Sequence, residues 1–587
     1  MNYENLANAY LDIESTSGLL EKINIFAGVL KDADAEEISK VIALTRGKLH
    51  PDWKGEPEIG IAEKMTVRVV AAAASVPESK VVSGLRRHGD IGLVAEELLS
   101  QTAQSTLVIN NVTVDLVYNT LDEVSRISGK GSTREKISLL VGVLSNASPL
   151  EARYILRTVT GDLRLGLGDM SILDALSQAF IGNREVRGDL ERAYNFSSDL
   201  GYVGELLARD GIEAVTSIKP QVGIPIRMMA AQKLSSSTEI LEKVEGSALV
   251  EFKYDGERIQ VHKNGDIVTL YSRRQENITS QYPDVVEMIA NSVTVEQCIL
   301  EGECVAIDLD TGRSLPFQTL MRRRRKERIE EFREEVPVAM YFFDALYAAG
   351  QNLTDFPMLE RRKALKKMIE ENDMVSLTQG KVIKEATTLD EMFQEALEIG
   401  NEGVIAKAIH EKSVYQAGAR SWLWIKLKAS YTEGMSDSVD LVVVGALHGR
   451  GKRTGVYGAI LASAYDERTG KFPTVCKIGT GFTDEMLAEF KERLEERIIS
   501  RKDPRVQSDI DADVWIEPAL VIEVLGDEIT LSPTHLAGTG RLDDDGLAIR
   551  FPRFTGRWRD DKGPTDATSV GELIDIYERN QAIDYEK

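Results

Sequence analysis

The sequence predicts three successive regions of different class: all-α over residues 1–215, mixed α/β over 216–430 and strand-rich over 431–587. Three observations carry that division. Apolar residues recur at helical spacing through the first region, the pattern turns to short alternating runs near position 230, and after about 430 nearly every run is strand-like. A chain of 587 residues also exceeds what one core holds, since single cores stop growing at roughly 250–300 residues.

In the first region Leu19, Ile23, Phe26 and Leu30 fall on one helix face. Ser148-Pro149-Leu150-Glu151 reads as a capping box with proline at the first helical position, and Ser132 with Glu135 as a second box. Ser217 to Met229, carrying Pro220, Gly223 and Pro225, breaks the helical pattern and reads as a linker. Beyond it, Asn264-Gly265 separates the alternating runs Ile259–His262 and Ile267–Tyr271, a hairpin turn whose residues need positive φ. Further strands are expected at Leu249–Tyr254, Cys298–Ile307, Ala339–Phe343, Gly403–Ala406 and Trp422–Lys428, with helices at Leu359–Glu371 and Leu389–Ile399. The last region offers strands at Leu441–Gly445, Ala459–Tyr465, Val475–Ile478, Leu520–Val524 and Ala548–Phe551 and a helix at Asp484–Ile498. That set fits a small Greek-key β-barrel of the OB type.

Composition narrows the function classes. Three cysteines, Cys298, Cys304 and Cys476, make no CxxC, no disulfide framework and no structural zinc site. No apolar run approaches the ~20 residues a membrane helix needs, and the first residues lack a signal-peptide layout, so a cytoplasmic protein without a membrane partner is expected. The net charge of −23 weighs against nucleic-acid binding, because phosphate contacts need Lys and Arg. A global sum says nothing about local patches, however. Arg322-Arg323-Arg324-Arg325-Lys326-Glu327-Arg328 and Lys452-Arg453 are such patches. The first serves equally as a phosphate contact or as a solvated helix face. Gly451-Lys452 is not part of a Walker loop, since Arg453 follows, so phosphate handling must rest on side chains.

The most informative stretch is Glu251-Phe252-Lys253-Tyr254-Asp255-Gly256-Glu257-Arg258. On a strand, Glu251 and Lys253 point the same way. It contains KxDGxR, and five more segments follow: Ser272-Arg273-Arg274, Glu301-Gly302-Glu303, Tyr341-Phe342-Phe343-Asp344, Glu402 to Lys407, and Trp424 to Lys428. Together and in this order they resemble the motifs of covalent nucleotidyltransferases. The likeness is greatest to ATP-dependent DNA ligases of the archaeal and eukaryotic replicative type, and it covers nearly the whole chain. Arg157 through Gly168 looks like that family's minor-groove-facing element, although those glycines taken alone serve equally as a helix–helix turn. Gly449 to Arg453, Arg550 to Phe554 and Asp560-Asp561-Lys562 look like its barrel-domain signatures.

The resemblance implies a helical DNA-binding domain, an adenylation domain and an OB domain that together seal nicks in replication, repair and recombination. A 5′-phosphate lacks a good leaving group, and adenylation supplies one through a covalent intermediate. Lys253 is then the nucleophile on ATP. Only about one lysine in a thousand is neutral near pH 7.4, so nearby positive charge from Lys426, Lys428 and a divalent cation is expected to depress its pKa. The family pattern also gives Arg258, Arg273, Arg420 and Lys426 to ribose and phosphate, Phe343 to stacking on adenine and Glu251 to its exocyclic amine. Lys428 joins the same nucleotide-binding set. Glu402, with Glu303, is expected to hold Mg²⁺, for which Mn²⁺ substitutes. Glu303 is also assigned to the ribose, and Glu301, of the same parity, rivals it in either task. Arg553 and Lys562 are expected to orient pyrophosphate, and Arg164, Gly166, Lys452 and Arg453 to meet DNA. The implied partners are nicked duplex DNA and a sliding clamp, with the enzyme a monomer; Gln101–Ile109 is similar to a clamp-docking peptide but lacks its paired aromatics.

Three rivals remain. RNA ligases and capping enzymes of the same superfamily do not call for so long a helical region. NAD-dependent ligases carry a zinc-binding cysteine cluster that three dispersed cysteines do not make. A non-catalytic scaffold has no need of Lys253, Arg258, Glu303, Glu402 and Lys426 together.

Overall fold

The computed structural model describes residues 1–102, 111–309, 312–315, 317–324, 333, 335–428, 438–449, 453, 455–542 and 545–585. The chain forms two compact units: Met1–Ala396 with Asn401–Lys426, and Leu427–Lys587 with Leu397–Gly400.

The first unit begins with helices that run from Tyr3–Ser15 to Leu200–Thr216. Ile23, Phe26 and Leu30 of the helix Leu19–Asp32 are buried as expected. Leu19, in the first turn, is 52% exposed, so the buried stripe starts one step later. Ser148 and Glu151 form the reciprocal capping box on Pro149–Thr160. The second expected box is absent. Helix Ser132–Leu144 is capped by Gly131 at φ +93°, a left-handed conformation that favours glycine, and Ser132 is already its first helical residue.

The rest of the unit holds two sheets built from β1 (Ala230–Lys233), β2 (Ala248–Lys253), β3 (Glu257–Asn264), β4 (Ile267–Ser272), β5 (Gln297–Ala306), β6 (Val338–Ala348), β7 (Gln351–Asn352), β8 (Val375–Leu377), β9 (Gly380–Ile383), β10 (Gly403–Ala408) and β11 (Arg420–Lys428). One sheet runs β1-β11-β10-β2-β9. The other runs β4-β3-β5-β6-β7, with β8 beside β6. The hairpin pairs Asn264 with Ile267, and Gly265 has φ +60°. Apolar residues of β3, β5 and β6, among them Val261, Leu300 and Phe342, form a core with Val285 and Ile289 of the helix Pro283–Ser292 and Leu365 of Met358–Met368.

The chain passes from the first sheet to the second through Tyr254-Asp255-Gly256. There it runs so close to β5 that a Cβ on Gly256 would lie 2.3 Å from the Cys304 carbonyl oxygen. That approach explains the glycine, and it places Lys253 at the end of β2, beside the crossing.

The second unit is strand-rich, as expected. Its strands are β12 (Val439–His448), β13 (Tyr457–Ser463), β14 (Phe472–Ile478), β15 (Ile498–Ile499), β16 (Val506–Gln507), β17 (Val514–Ile516), β18 (Val521–Leu525), β19 (Glu528–Ser532), β20 (Gly546–Arg550) and β21 (Arg553–Trp558). The ladder runs β15-β17-β12-β13-β14-β16, β18 pairs with β12 and β21, and β19-β20 stand apart. Among the described residues these ladders form a branched sheet rather than a complete ring. Helix Asp484–Glu495 buries Leu487, Phe490 and Leu494, and Phe490 packs on Phe554 and Trp558 of β21.

Candidate active site

Between the two sheets of the first unit lies a cleft lined by Ala230, Ala231, Glu251, Lys253, Arg258, Arg273, Glu303, Phe343, Thr378, Ile405, Lys407, Arg420, Trp424 and Lys426, among others. Eight residues expected to handle a nucleotide therefore converge here from β2, β3, β5, β6 and β11 and the turn after β4. Strand parity brings Glu251 and Lys253 to one face. Lys426 and Lys428 share a face with buried Leu427 between them. Lys428, Arg553 and Lys562 belong to the second unit.

The Lys253 Nζ contacts Glu402 Oε2, and the two side chains are 19% and 25% exposed. Glu402 is fixed by its own N–H, which donates to the Lys253 carbonyl at 2.9 Å. Burial alone would push the lysine pKa down. The charges of Glu402, Glu303 and Asp255 outweigh burial and hold it above the ordinary value. This corrects the expectation of a depressed pKa: in the free protein carboxylates, not cations, crowd this amine, and it is an ammonium. The carboxylates register the crowding. Burial, then Glu402, raises Asp255 to about 6. Burial raises Glu303 to about 7 against the pull of Lys253 and Arg258, with Glu402 and Asp255 adding to the rise.

Arg258 and Glu301 settle the parity ambiguity. Glu301 is fully buried and accepts from Arg258 Nη2 at 2.8 Å, Tyr415 Oη at 3.0 Å and Gln260 Nε2 at 3.2 Å. It is Arg258's internal counter-ion, while Glu303 lines the cleft. The Arg258 guanidinium also donates to the Met229 carbonyl at 2.7 Å and lies 5.2 Å from the centre of the Phe343 ring. Trp424 meets Phe343 edge-on at 6.1 Å, which fixes the ring at the cleft wall. Arg420 is exposed and donates to the Ala231 carbonyl at 3.1 Å. Arg273 stands exposed at the rim.

Sequence reasoning missed Lys407 and Thr378. Lys407 is 1% exposed, bonds Glu251 Oε2 at 2.5 Å and donates to the Phe343 carbonyl at 3.1 Å. Its position was readable, because it stands two residues beyond cleft-lining Ile405 on β10, with the same parity. Thr378 sits in the short connection between β8 and β9, where no period marks it.

Among the described residues no group of three or more His, Cys, Asp or Glu is arranged to hold a metal ion. Among them too, no helix is long and apolar enough to cross a membrane.

The expected DNA contacts fare differently. Arg164, at φ +60°, turns inward: Nε binds Asp162 at 2.9 Å, Nη2 donates to the Gly89 carbonyl at 2.9 Å and Nη1 lies 3.1 Å from Asp90. Arg453 donates to the Gly458 and Gly479 carbonyls at 3.3 and 3.0 Å. Both guanidiniums hold contacts within the fold, and the Arg164 side chain remains 19% exposed. Gly166 has φ +71° and a Cβ there would lie 3.4 Å from Lys22 Nζ. Lys452 and most of Gln101–Ile109 lie outside the described residues. Of the run Arg322–Arg328, Arg323 is buried against Asp284 at 2.7 Å and Arg322 pairs with Glu335 at 3.2 Å. Arg323 is thus neither a phosphate contact nor a solvated face. In the second unit Lys562 donates to Asp440 Oδ2 at 2.6 Å, and Arg553 is half-exposed, 3.6 Å from Asp527.

Comparison with known proteins agrees with this geometry. The family model described as "ATP dependent DNA ligase domain" matches residues 228–428, "DNA ligase N terminus" matches 2–177 and "ATP dependent DNA ligase C terminal region" matches 453–562. The "DNA ligase 2" of Thermofilum pendens is 49% identical over 584 residues, covering 98% of this chain and 97% of that protein. The DNA ligase of Sulfolobus acidocaldarius is 45% identical over 586 residues, covering 98% of each. Among solved structures, Pmar-Lig_PreS3 superposes with a TM-score of 0.56 at 17% identity over 94% of this chain and 99% of that one, a likeness of fold. Three matched regions in order, and relatives near half-identical along almost their whole length, place the chain in the ATP-dependent DNA ligase family.

Proposed function

We propose that this ATP-dependent DNA ligase seals nicks in duplex DNA through a covalent adenylate on Lys253. The observation that carries the proposal is the lysine itself. It ends β2 inside a cleft where Arg273, Arg420 and Lys426 supply positive charge for phosphates, Arg258 stands beside its counter-ion Glu301, and Phe343 offers a ring face for a base. Phosphoryl transfer needs charge neutralisation and positioning above all.

In the first step Nζ forms a bond to the α-phosphorus of ATP, the bond to the bridging oxygen breaks and pyrophosphate leaves. The ammonium must first lose its proton to solvent, and Glu402, which contacts it, holds the side chain in place until then. AMP then passes from Lys253 to the nick's 5′-phosphate, and the 3′-hydroxyl displaces it. On the family's pattern Arg553 and Lys562 orient the departing pyrophosphate.

The carboxylates suit a hard divalent cation. Mg²⁺ is held by one or two carboxylates together with substrate phosphates. Asp255 and Glu303, both raised above the usual carboxylate range, form a donor set short of positive charge. Glu402 and Glu303 would hold Mg²⁺, or Mn²⁺ in its place. The ion would supply charge neutralisation for the triphosphate.

The same reading assigns residues 1–215 to DNA binding, 216–430 to adenylation and 431–587 to an OB domain. It makes the enzyme a cytoplasmic monomer that meets nicked DNA and a sliding clamp. Incubation with radiolabelled ATP, GTP and NAD side by side tests the core of the proposal. A label from ATP that is lost in Lys253→Ala is expected, and a label retained on that variant overturns it.

A further inference from the structure

Glu251 is held on both carboxylate oxygens. It is 2% exposed, and both its oxygens are engaged from three separate elements. Oε1 accepts from Thr378 Oγ1 at 2.6 Å and lies 2.8 Å from Arg362 Nη1, and Oε2 takes Lys407 Nζ at 2.5 Å. Arg362, on the helix Met358–Met368, is absent from the cleft lining. It also donates to Thr378 Oγ1 at 3.0 Å, to the Thr378 carbonyl at 2.5 Å and to the Phe342 carbonyl at 3.2 Å. The guanidinium therefore orients the hydroxyl that in turn donates to Glu251. The backbone closes in as well: a Cβ on Gly380 would lie 2.7 Å from Glu251 Cγ and 2.8 Å from the Val250 carbonyl oxygen. An ionised carboxylate has about four lone-pair positions. Oε1 accepts from Thr378 and lies against the Arg362 guanidinium, and Oε2 takes Lys407, which leaves the carboxylate acceptor positions to spare.

We infer that Arg362 and Thr378 are positioning residues that hold the Glu251 carboxylate where it selects adenine over guanine. The inference rests on the proposed reading of Glu251 as the group that meets the base's exocyclic position. Adenine carries an amine there, which donates. Guanine carries a carbonyl, which a carboxylate repels. A glutamate free to rotate turns from that carbonyl or lets water bridge it. One clamped by a guanidinium, a hydroxyl and an ammonium does neither, so the clamp turns a weak preference into a fixed one.

The test measures lysyl-nucleotide formation by the full chain with labelled ATP and labelled GTP, giving KM and kcat for each, in the wild type and in Arg362→Ala, Arg362→Lys, Thr378→Val and Glu251→Ala. Loss of a charge-assisted contact should raise the KM for ATP about tenfold in Arg362→Ala and lower the ATP-over-GTP preference by a similar factor, with kcat changed less than about threefold. Arg362→Lys should recover part of the loss. Thr378→Val, close to isosteric, should move KM and preference the same way by about threefold, and it decides the matter if Arg362→Ala does not fold. A merely structural clamp would lower the active fraction and leave KM and base preference alone. If Glu251→Ala shifts base preference while the Arg362 and Thr378 variants do not, the positioning inference falls and the reading of Glu251 stands. If Glu251→Ala itself leaves base preference untouched, that reading falls with it.

Discussion

Two ionic clusters in the first unit both set carboxylates against basic side chains and behave in opposite ways. In the helical region Arg157 binds Glu14 at 2.8 Å and Asp90 at 2.7 Å, Arg153 binds Glu14 and Glu96 at 2.7 and 3.0 Å, and Arg164 closes on Asp90. Burial would raise Glu14 and Asp90, but the Arg157 hydrogen bonds and charge outweigh it and lower both. In the cleft Asp255, Glu303 and Glu402 crowd one lysine, and Asp255 and Glu303 are raised to about 6 and about 7. The first cluster is neutralised within the fold. The second is short of cations until something arrives. That shortage, and not the mere presence of charge, marks a site that binds.

The contrast can be broken in four ways, from the largest effect down. Lys253→Ala removes the nucleophile, and AMP labelling should drop on the order of 10⁴-fold or more, while sealing of pre-adenylated nicked DNA survives. Loss of both activities would tie the lysine to more than the first step. Asp90→Ala leaves the buried Arg157 with Glu14 as its one remaining carboxylate and should cost about 1–3 kcal/mol, read as a fall in Tm, with labelling per folded molecule unchanged. A neutral outcome there would mean the helical cluster is as unsatisfied as the cleft.

The two clusters should also answer pH with opposite signs. Asp255 and Glu303 have raised folded pKa values, so their stability contribution is present in acid and lost as pH rises through about 6 to 7. Glu14 and Asp90 have lowered values, so theirs is present above the ordinary carboxylate range and lost as pH falls through those lowered values. Without nucleotide or metal, an Asp255→Asn/Glu303→Gln variant should therefore gain Tm over the wild type between about pH 5 and pH 8. Parallel Tm curves would show that the carboxylates are not crowded. Smallest of the four, Phe343→Leu removes a stacking face worth about 1–3 kcal/mol per base and should raise the KM for ATP roughly tenfold with kcat little changed. An unchanged KM would remove the ring from base binding.

Much of this was legible in the chain. Alternation and Asn264-Gly265 located β2 and β4 to within a residue and the middle of β3, which runs two residues further at each end, because a period of two and a positive-φ turn are local facts. Nothing local distinguished Glu301 from Glu303. They share parity, and the partners that engage the first, Arg258, Gln260 and Tyr415, are distant in sequence. The protonation of Lys253 was misjudged for the same reason: Glu303 and Glu402 are invisible neighbours until the sheets fold. Short strands such as β15 and β16 carry too few residues to show a period, and β19 and β21 were overlooked among charged and glycine-containing stretches. The approach of Arg164 to Asp90, 74 residues away, carries no local signal either.

The ammonium on Lys253 has a consequence for the resting enzyme. An amine whose lone pair is occupied by a proton does not attack carbonyls or other stray electrophiles, so an idle molecule is shielded from irreversible modification at the one atom it cannot spare. Unmasking has to be driven by the arriving substrate, whose charges compete with the ammonium for the same carboxylates. Reactivity is thus conditional on cargo, and Glu402, which contacts the ammonium, adds with Glu303 and Asp255 to the protonation an ordinary lysine already has.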